Sequence, residues 1–199
     1  MPKISAATVA EHRARQRAAL VRAAVDILVE QGAAGVTPAA VGARAGLARS
    51  SFYQYFPSGA ALIAAIVEDS FTEADAAVGK ALDGIEDPLA RIDAYITAEL
   101  RLAATGLHRP ATALMQADLP PECRNRVHEL HREHAAPLLT AIAERNPADP
   151  ELTARLIGGL LQAAMGAVEQ GARPADVIDR TLDLIHHGIG SEAASPAGG

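Results

Sequence analysis

The chain is 199 residues long, with a formal net charge of −6, 49% hydrophobic and 3% aromatic residues, and one cysteine. A single cysteine excludes an internal disulfide and a cysteine-based zinc module, and no window approaches the roughly 18 uninterrupted apolar residues of a membrane span. Residues 1–20 are too polar for a secretory leader, so a cytoplasmic protein is expected. Taken whole, −6 argues against a nucleic-acid partner, but a sum hides where the charges lie.

Alanine is the most abundant residue, and neither strand alternation nor an internal repeat is found, so the chain reads as all-α. Glycine and proline divide it into about nine helices, at 11–31, 38–45, 49–55, 58–83, 88–106, 110–117, 121–145, 151–170 and 174–189. The tail SEAASPAGG (191–199) is small and polar and is expected to be disordered.

Charge divides as sharply as composition. The first 59 residues set Lys3, Arg13, Arg15, Arg17, Arg22, Arg44 and Arg49 against Glu11, Asp26 and Glu30, a net of +4, and leave −10 to the remainder. Such a basic module can neutralise phosphates locally, although charge alone leaves open a merely solvated arginine face on helix 1.

Helix 1 carries Leu20, Ala24, Ile27 and Leu28 on one stripe and stops at Gly32. Thr37 followed by Pro38 reads as an N-cap and a proline at the first helical position. The helix so opened is short, because Gly46 suits the left-handed turn that ends it, and Leu47 is the apolar plug between neighbours. A second short helix from Arg49 offers Ser50, Ser51, Tyr53, Gln54 and Tyr55, while Phe52 and Phe56 point to the core. Two short helices around a glycine turn, the second rich in hydrogen-bonding groups, read as a helix-turn-helix. Spacing alone also allows a helical hairpin whose aromatics only pack.

The runs AAVDILVEQG (23–32) and VGARAGLARSSFYQYFPS (41–58), with Thr37 between them and Ala61–Leu62 after, resemble the DNA-binding region of TetR-family transcriptional regulators. The resemblance implies that Thr37 and Arg44 meet backbone or bases from the second helix. It implies that Ser50, Ser51, Gln54 and Tyr55 face the major groove and that Tyr53 bonds a phosphate; Arg49 completes the candidate DNA-binding set. The sequence departs from the family pattern at four positions. Gly59 stands where a phosphate-binding lysine is usual, Ala60 for a frequent glutamate, Ala48 for a serine cap and Gly42 for an alanine. The absent lysine should flatten the salt dependence by about one unit of slope per half-site, and the absent cap is worth about 1 kcal/mol. Arg13, Arg15 and Arg17 are candidates to compensate at phosphates or the minor groove.

Beyond residue 58 the sequence has no nucleophile elbow, phosphate loop or zinc-protease motif. Leu62, Ile66, Phe71 and Val78 run along helix 4, and Leu89, Ile92, Ile96, Leu100 and Leu107 along helix 5. On helix 7 Val127, Leu130, His131, His134, Leu138 and Ile142 share a face, and Pro137 interrupts it. These histidines read as satisfied core residues, as polar points of a cavity or as metal ligands with Cys123 and His128, although no carboxylate partner is evident. The resemblance implies an effector enclosed by helices 4 to 8, and Leu100, His108, Met115, Gln116, His131, His134, Gln162 and Met165 are its candidate lining. Helix 8 is crowded with glycine and alanine and helix 9 carries Val177, Ile178, Leu182, Ile185 and Ile189, so both are expected to pair with their mates in a homodimer.

The expected molecule therefore has a helix-turn-helix domain at 1–57 and an effector-binding and dimerisation domain at 58–190. It is expected to be a non-enzymatic, cofactor-free, homodimeric transcriptional regulator, a repressor released from a palindromic double-stranded DNA operator by a small-molecule effector, without a membrane partner. An effector-free DNA-binding regulator and a helical metal enzyme using Cys123, His131 and His134 are the alternatives.

Overall fold

The computed structural model describes residues 6–115, 121–145 and 147–188. Nine α-helices occur among them and no strand: α1 (Ala6–Gln31), α2 (Pro38–Arg44), α3 (Arg49–Phe52), α4 (Gly59–Leu82), α5 (Pro88–Thr105), α6 (Arg109–Met115), α7 (Pro121–Glu144), α8 (Pro150–Glu169) and α9 (Pro174–His187). The all-α reading and the helix count hold. The proposed tail at 191–199 and the end of the helix expected at 110–117 lie outside the described residues.

The start signals work as their chemistry requires. Thr37, Asp87 and Asp149 each cap a helix that opens on proline, accepting from the amides of Ala40, Ala90 and Leu152 at 3.2, 2.8 and 2.9 Å. Two ends differ from expectation. α1 begins five residues earlier, because Ala6–Ala10 contains no helix breaker. α3 ends at Phe52 rather than Tyr55: Ala48 gives it no side-chain cap, and Pro57 discourages helical geometry at Phe56, so 53–55 form turns.

Packing divides the chain into two compact units. The first comprises residues up to Thr72 together with His108–His131. Its core joins Leu20, Ile27 and Leu28 of α1, Val41 of α2, Phe52 of α3 and Leu62, Ile66 and Val67 of α4, and extends to Leu114, Cys123, Val127 and Leu130. The second comprises Glu73–Leu107 and the residues from Arg132 onward. There α5 packs on α8 and α9, burying Ile92, Tyr95, Ile96 and Leu100 with Leu138, Ala141, Ile142, Leu161, Ala164 and Val168. Both unit boundaries within helices fall in α4 and α7, and α7 runs through Pro137 without a break in assignment.

Phe52 has no exposed surface and sits against Phe56 with ring centroids 5.9 Å apart. Phe52→Ala is expected to destabilise the first unit by about 3–5 kcal/mol, measured by chemical denaturation, because neither the lost transfer energy nor the void is recovered.

Candidate nucleic-acid interface

The interface is built on a turn. α2 ends at Arg44, Gly46 takes φ = 69°, and the Leu47 amide closes back on the Gly42 carbonyl at 2.8 Å. That left-handed residue is what lets two helices meet over so few residues, and Leu47 packs against the core between them. Phe52 then anchors α3 from below, which leaves the opposite side outward: Ser50, Tyr53 and Gln54 are exposed, Tyr53 by 48%.

The other candidates are more engaged. Ser51 is half-buried. Tyr55 is half-buried and its hydroxyl donates to Gln16 Oε1 of α1, so it faces α1 rather than standing outward with Gln54. Thr37 is exposed and caps α2. Arg44 Nη2 donates to Glu30 Oε2 at 2.7 Å, and that bond, ahead of the arginine's charge, holds the Glu30 carboxyl below its ordinary range. Arg49 opens α3. After the turn, Ser58 caps α4 by accepting from the Ala61 amide at 3.1 Å, and Gly59 follows with room for a side chain, Val36 O being 4.0 Å from a built Cβ.

Residues 20–66 match the family model described as bacterial regulatory proteins, tetR family. The helix-turn-helix region of this chain is similar to that of TetR-family transcriptional regulators. Solved structures agree in fold. A TetR-like transcriptional regulator from Rhodococcus sp. RHA1 is 19% identical, with 89% of this chain and 97% of that one covered and a TM-score of 0.75. FadR from Bacillus subtilis in complex with stearoyl-CoA is 17% identical, with 86% and 98% covered and a TM-score of 0.74. AibR in complex with isovaleryl coenzyme A and operator DNA is 15% identical, with 85% and 97% covered and a TM-score of 0.73. No curated protein sequence matches the chain. The matched stretch includes α2 and α3, with Ser50 of α3 and Tyr53 and Gln54 of the following turn exposed.

The candidate effector residues fall in both compact units. In the first, His108 is half-buried just before α6, and His131 is exposed, meeting Phe71 edge-on with centroids 6.4 Å apart. Met115 closes α6, and Gln116 lies outside the described residues. In the second, Leu100 is fully buried in the core, Met165 packs against the same cluster and Gln162 is exposed on α8. Of the candidates whose side chains are described, Leu100, His108, His131, His134, Gln162 and Met165, none lines the groove of about 510 Å³ between α4 and α5 of this unit, whose walls include Ala77, Ala81, Ala94, Thr97, Arg101 and Leu102. Facing alanines on two helices were the available signal for it.

His134 is the exception to an otherwise apolar inward stripe, and it has the carboxylate partners that the sequence of its own helix did not reveal. Its Nδ1 lies 2.6 Å from Asp75 Oδ1 of α4 and its Nε2 lies 3.0 Å from Glu99 Oε1 of α5, with the imidazole 5% exposed. Tyr95 stacks at a tilt beside it and donates to the His134 carbonyl at 3.3 Å. Burial alone pushes the imidazole down and pushes the Tyr95 phenol up. For His134 the hydrogen bonds and charges of Glu99, then Asp75, outweigh burial and raise it above its ordinary value. A carboxylate oxygen beside each ring nitrogen favours the imidazolium, in which neither nitrogen keeps a lone pair for a metal. Among the described residues no group of three or more histidine, cysteine or acidic side chains could hold a metal ion, and no helix is long and apolar enough to cross a membrane.

Because the folded value is raised, the charged pair contributes its full stability below about pH 6.5 and loses it as pH rises through the folded value. The gap in unfolding free energy between the wild type and His134→Gln is therefore expected to narrow from pH 6 to pH 9. A gap that is constant with pH would show that the folded value is not raised, and a gap that widens toward pH 9 would show that the imidazole is held neutral in the fold.

Proposed function

We propose that the chain is a homodimeric, ligand-responsive repressor, released from a palindromic operator by a small-molecule effector, with residues 1–57 reading DNA and 58–190 binding effector and partner. The observation that carries this reading is the outward set of Ser50 on α3 and Tyr53 and Gln54 in the turn that follows it, in a stretch matching the TetR-family model and anchored from the other side by Phe52. Two copies would place these side chains in successive major grooves about 34–36 Å apart. Thr37, Arg44 and Arg49 would flank them at backbone or base edges.

Support for a dimer comes from α8. Leu152 and Leu156 are 44% and 65% exposed, and with the exposed Gly159 and Ala163 they form one stripe at helical spacing. Small residues beside leucines permit close approach of a second helix, and an isologous pairing would cover the stripe. On α9 Val177, Ile178, Leu182 and Ile185 are half-buried against the chain's own core, which leaves part of each surface for the second helix of the proposed interface.

The solved AibR and FadR structures hold isovaleryl coenzyme A and stearoyl-CoA, which makes acyl-CoA thioesters the first effectors to test. The decisive experiment selects duplexes from a random library, then titrates the protein with acyl-CoAs of increasing chain length with and without the selected duplex. A palindrome should be enriched, and a bound thioester should weaken operator binding by a factor equal to that by which operator weakens the thioester, about 5–150-fold. Operator binding that is indifferent to every bound thioester would favour a constitutive regulator. Leu156→Glu should convert the dimer to monomer in sedimentation velocity and reduce operator affinity at least tenfold, because one half-site contact is lost.

Gly59→Lys tests the missing phosphate contact. The site has space and no positive φ, so the lysine should steepen the dependence of log affinity on log salt by about 0.9 per protomer without loss of stability.

A further inference from the structure

α9 ends before its apolar stripe does. Val177, Ile178, Leu182 and Ile185 lie on the helix and pack against the core of the second unit. The helix stops at His187, so Ile189, the last member of the stripe, falls beyond it. Gly188 closes the helix with φ = 70°, a left-handed residue that turns the chain off the α9 axis. An isoleucine placed one residue past that turn leaves water only by finding an apolar surface other than the one α9 covers.

Such a surface begins where α9 ends. His186 Nε2 lies 2.9 and 3.1 Å from the two carboxylate oxygens of Asp93, and Asp93 stands on the rim of the α4–α5 groove. From there Ala94, Thr97, Ala98, Arg101 and Thr105 follow one face of α5 at helical spacing, with Ala77 and Ala81 of α4 forming the other wall. Alanines on both walls leave the space of about 510 Å³ open. Arg101, two turns beyond Asp93, is exposed and has no ion-pair partner among the described residues, although the chain beyond residue 59 carries −10. The charges at the start of α5 are matched, Arg91 by Glu144 and Asp93 by His186. The groove is thus an apolar trough with an unmatched cation about 12 Å along α5 from the point where α9 ends.

We infer that Ile189-Gly190-Ser191-Glu192 of this chain, which lies outside the described residues, occupies the α4–α5 groove, with Ile189 among the facing alanines and the Glu192 carboxylate on the Arg101 guanidinium. The lengths agree, since four extended residues from Gly188 cover about 13 Å. A polyproline-type backbone brings residues three apart to one face, so Ile189 and Glu192 both meet the groove while Gly190 and Ser191 pass over it. Tethering decides between occupants. A segment anchored at the mouth has an effective concentration there of the order of millimolar, above that of a second copy or a free ligand in dilute solution. The segment thereby covers a surface that would otherwise admit apolar anions.

The test forms a disulfide across the groove of the full chain. Thr97→Cys is combined with Ser191→Cys, and the control combines Ser191→Cys with Asp179→Cys, an exposed position about 13 Å from Gly188 along α9. Single-cysteine variants measure any disulfide formed with buried Cys123. In a glutathione buffer the Thr97 pair should close within one chain about tenfold faster than the control, and delipidating the protein should not change that rate. Ile189→Asp should slow closure about tenfold and Arg101→Glu about threefold, and adding Glu192→Arg to Arg101→Glu should restore it. Equal rates for the two pairs, or a Thr97 pair indifferent to both substitutions, would overturn the inference. Disulfides that join two chains would replace it with a second copy in the groove, and closure that appears only after delipidation would replace it with a retained apolar anion.

Discussion

The burial of Phe52 is the constraint on which the reading head depends. A four-residue helix has too few internal hydrogen bonds to offset the cost of its own nucleation, so α3 cannot be stable through its backbone alone. Ala48 adds no cap. What holds α3 in place is an aromatic ring taken fully out of water among side chains of α1, α2 and α4, with Phe56 reinforcing it after the turn. This explains why so small an element can present three consecutive kinds of polar group outward. The rigidity is lent by the core, and Gly46 lets the chain reach it.

Charge within the first unit follows a different logic from its sum. The net of +4 over the first 59 residues suggests a uniformly attractive head. In the fold, Arg44 is held by Glu30 and Arg17 by Asp69, so two of the arginines nearest α2 and α3 are already compensated. Both pairs are exposed and worth little to stability, and phosphate can exchange with either carboxylate at small cost. Arg13 and Arg15, near the start of α1, are exposed and have no ion-pair partner among the described residues. The −10 of the rest of the chain then opposes contact anywhere else.

Much of this fold was legible because its signals are local. Proline after Thr37, Asp87 or Asp149 is a complete helix start, and each capping bond joins residues three apart. The apolar stripe of α1 and the roles of Phe52 and Phe56 followed from periodicity in the same way. The family of the head was legible too, since its motif is continuous in sequence. Less could be read where a side chain's partner comes from another element. Tyr55 was expected outward with Gln54, but its hydroxyl finds Gln16, 39 residues away. The stripe of α9 reads as wholly free for a partner chain, and the chain's own core half-covers Val177, Ile178, Leu182 and Ile185.

His131 and His134 show the limit most sharply. They lie three residues apart on one predicted face, and periodicity assigns them the same environment. One is exposed beside Phe71 and the other is enclosed by Asp75, Glu99 and Tyr95. Neither carboxylate is near His134 in sequence, being 59 and 35 residues away on two other helices. A buried imidazole with one acceptor could remain neutral, whereas a carboxylate at each of its two nitrogens favours the doubly protonated ring. The identity of the residue therefore does not determine its chemistry; the convergence of α4 and α5 on it does. That convergence also changes what His134 can offer an effector. A ligand that sought its imidazole would have to displace a buried charge pair, at a cost of several kcal/mol. His134 is accordingly better suited to fixing α4, α5 and α7 within the second unit than to contacting a ligand directly.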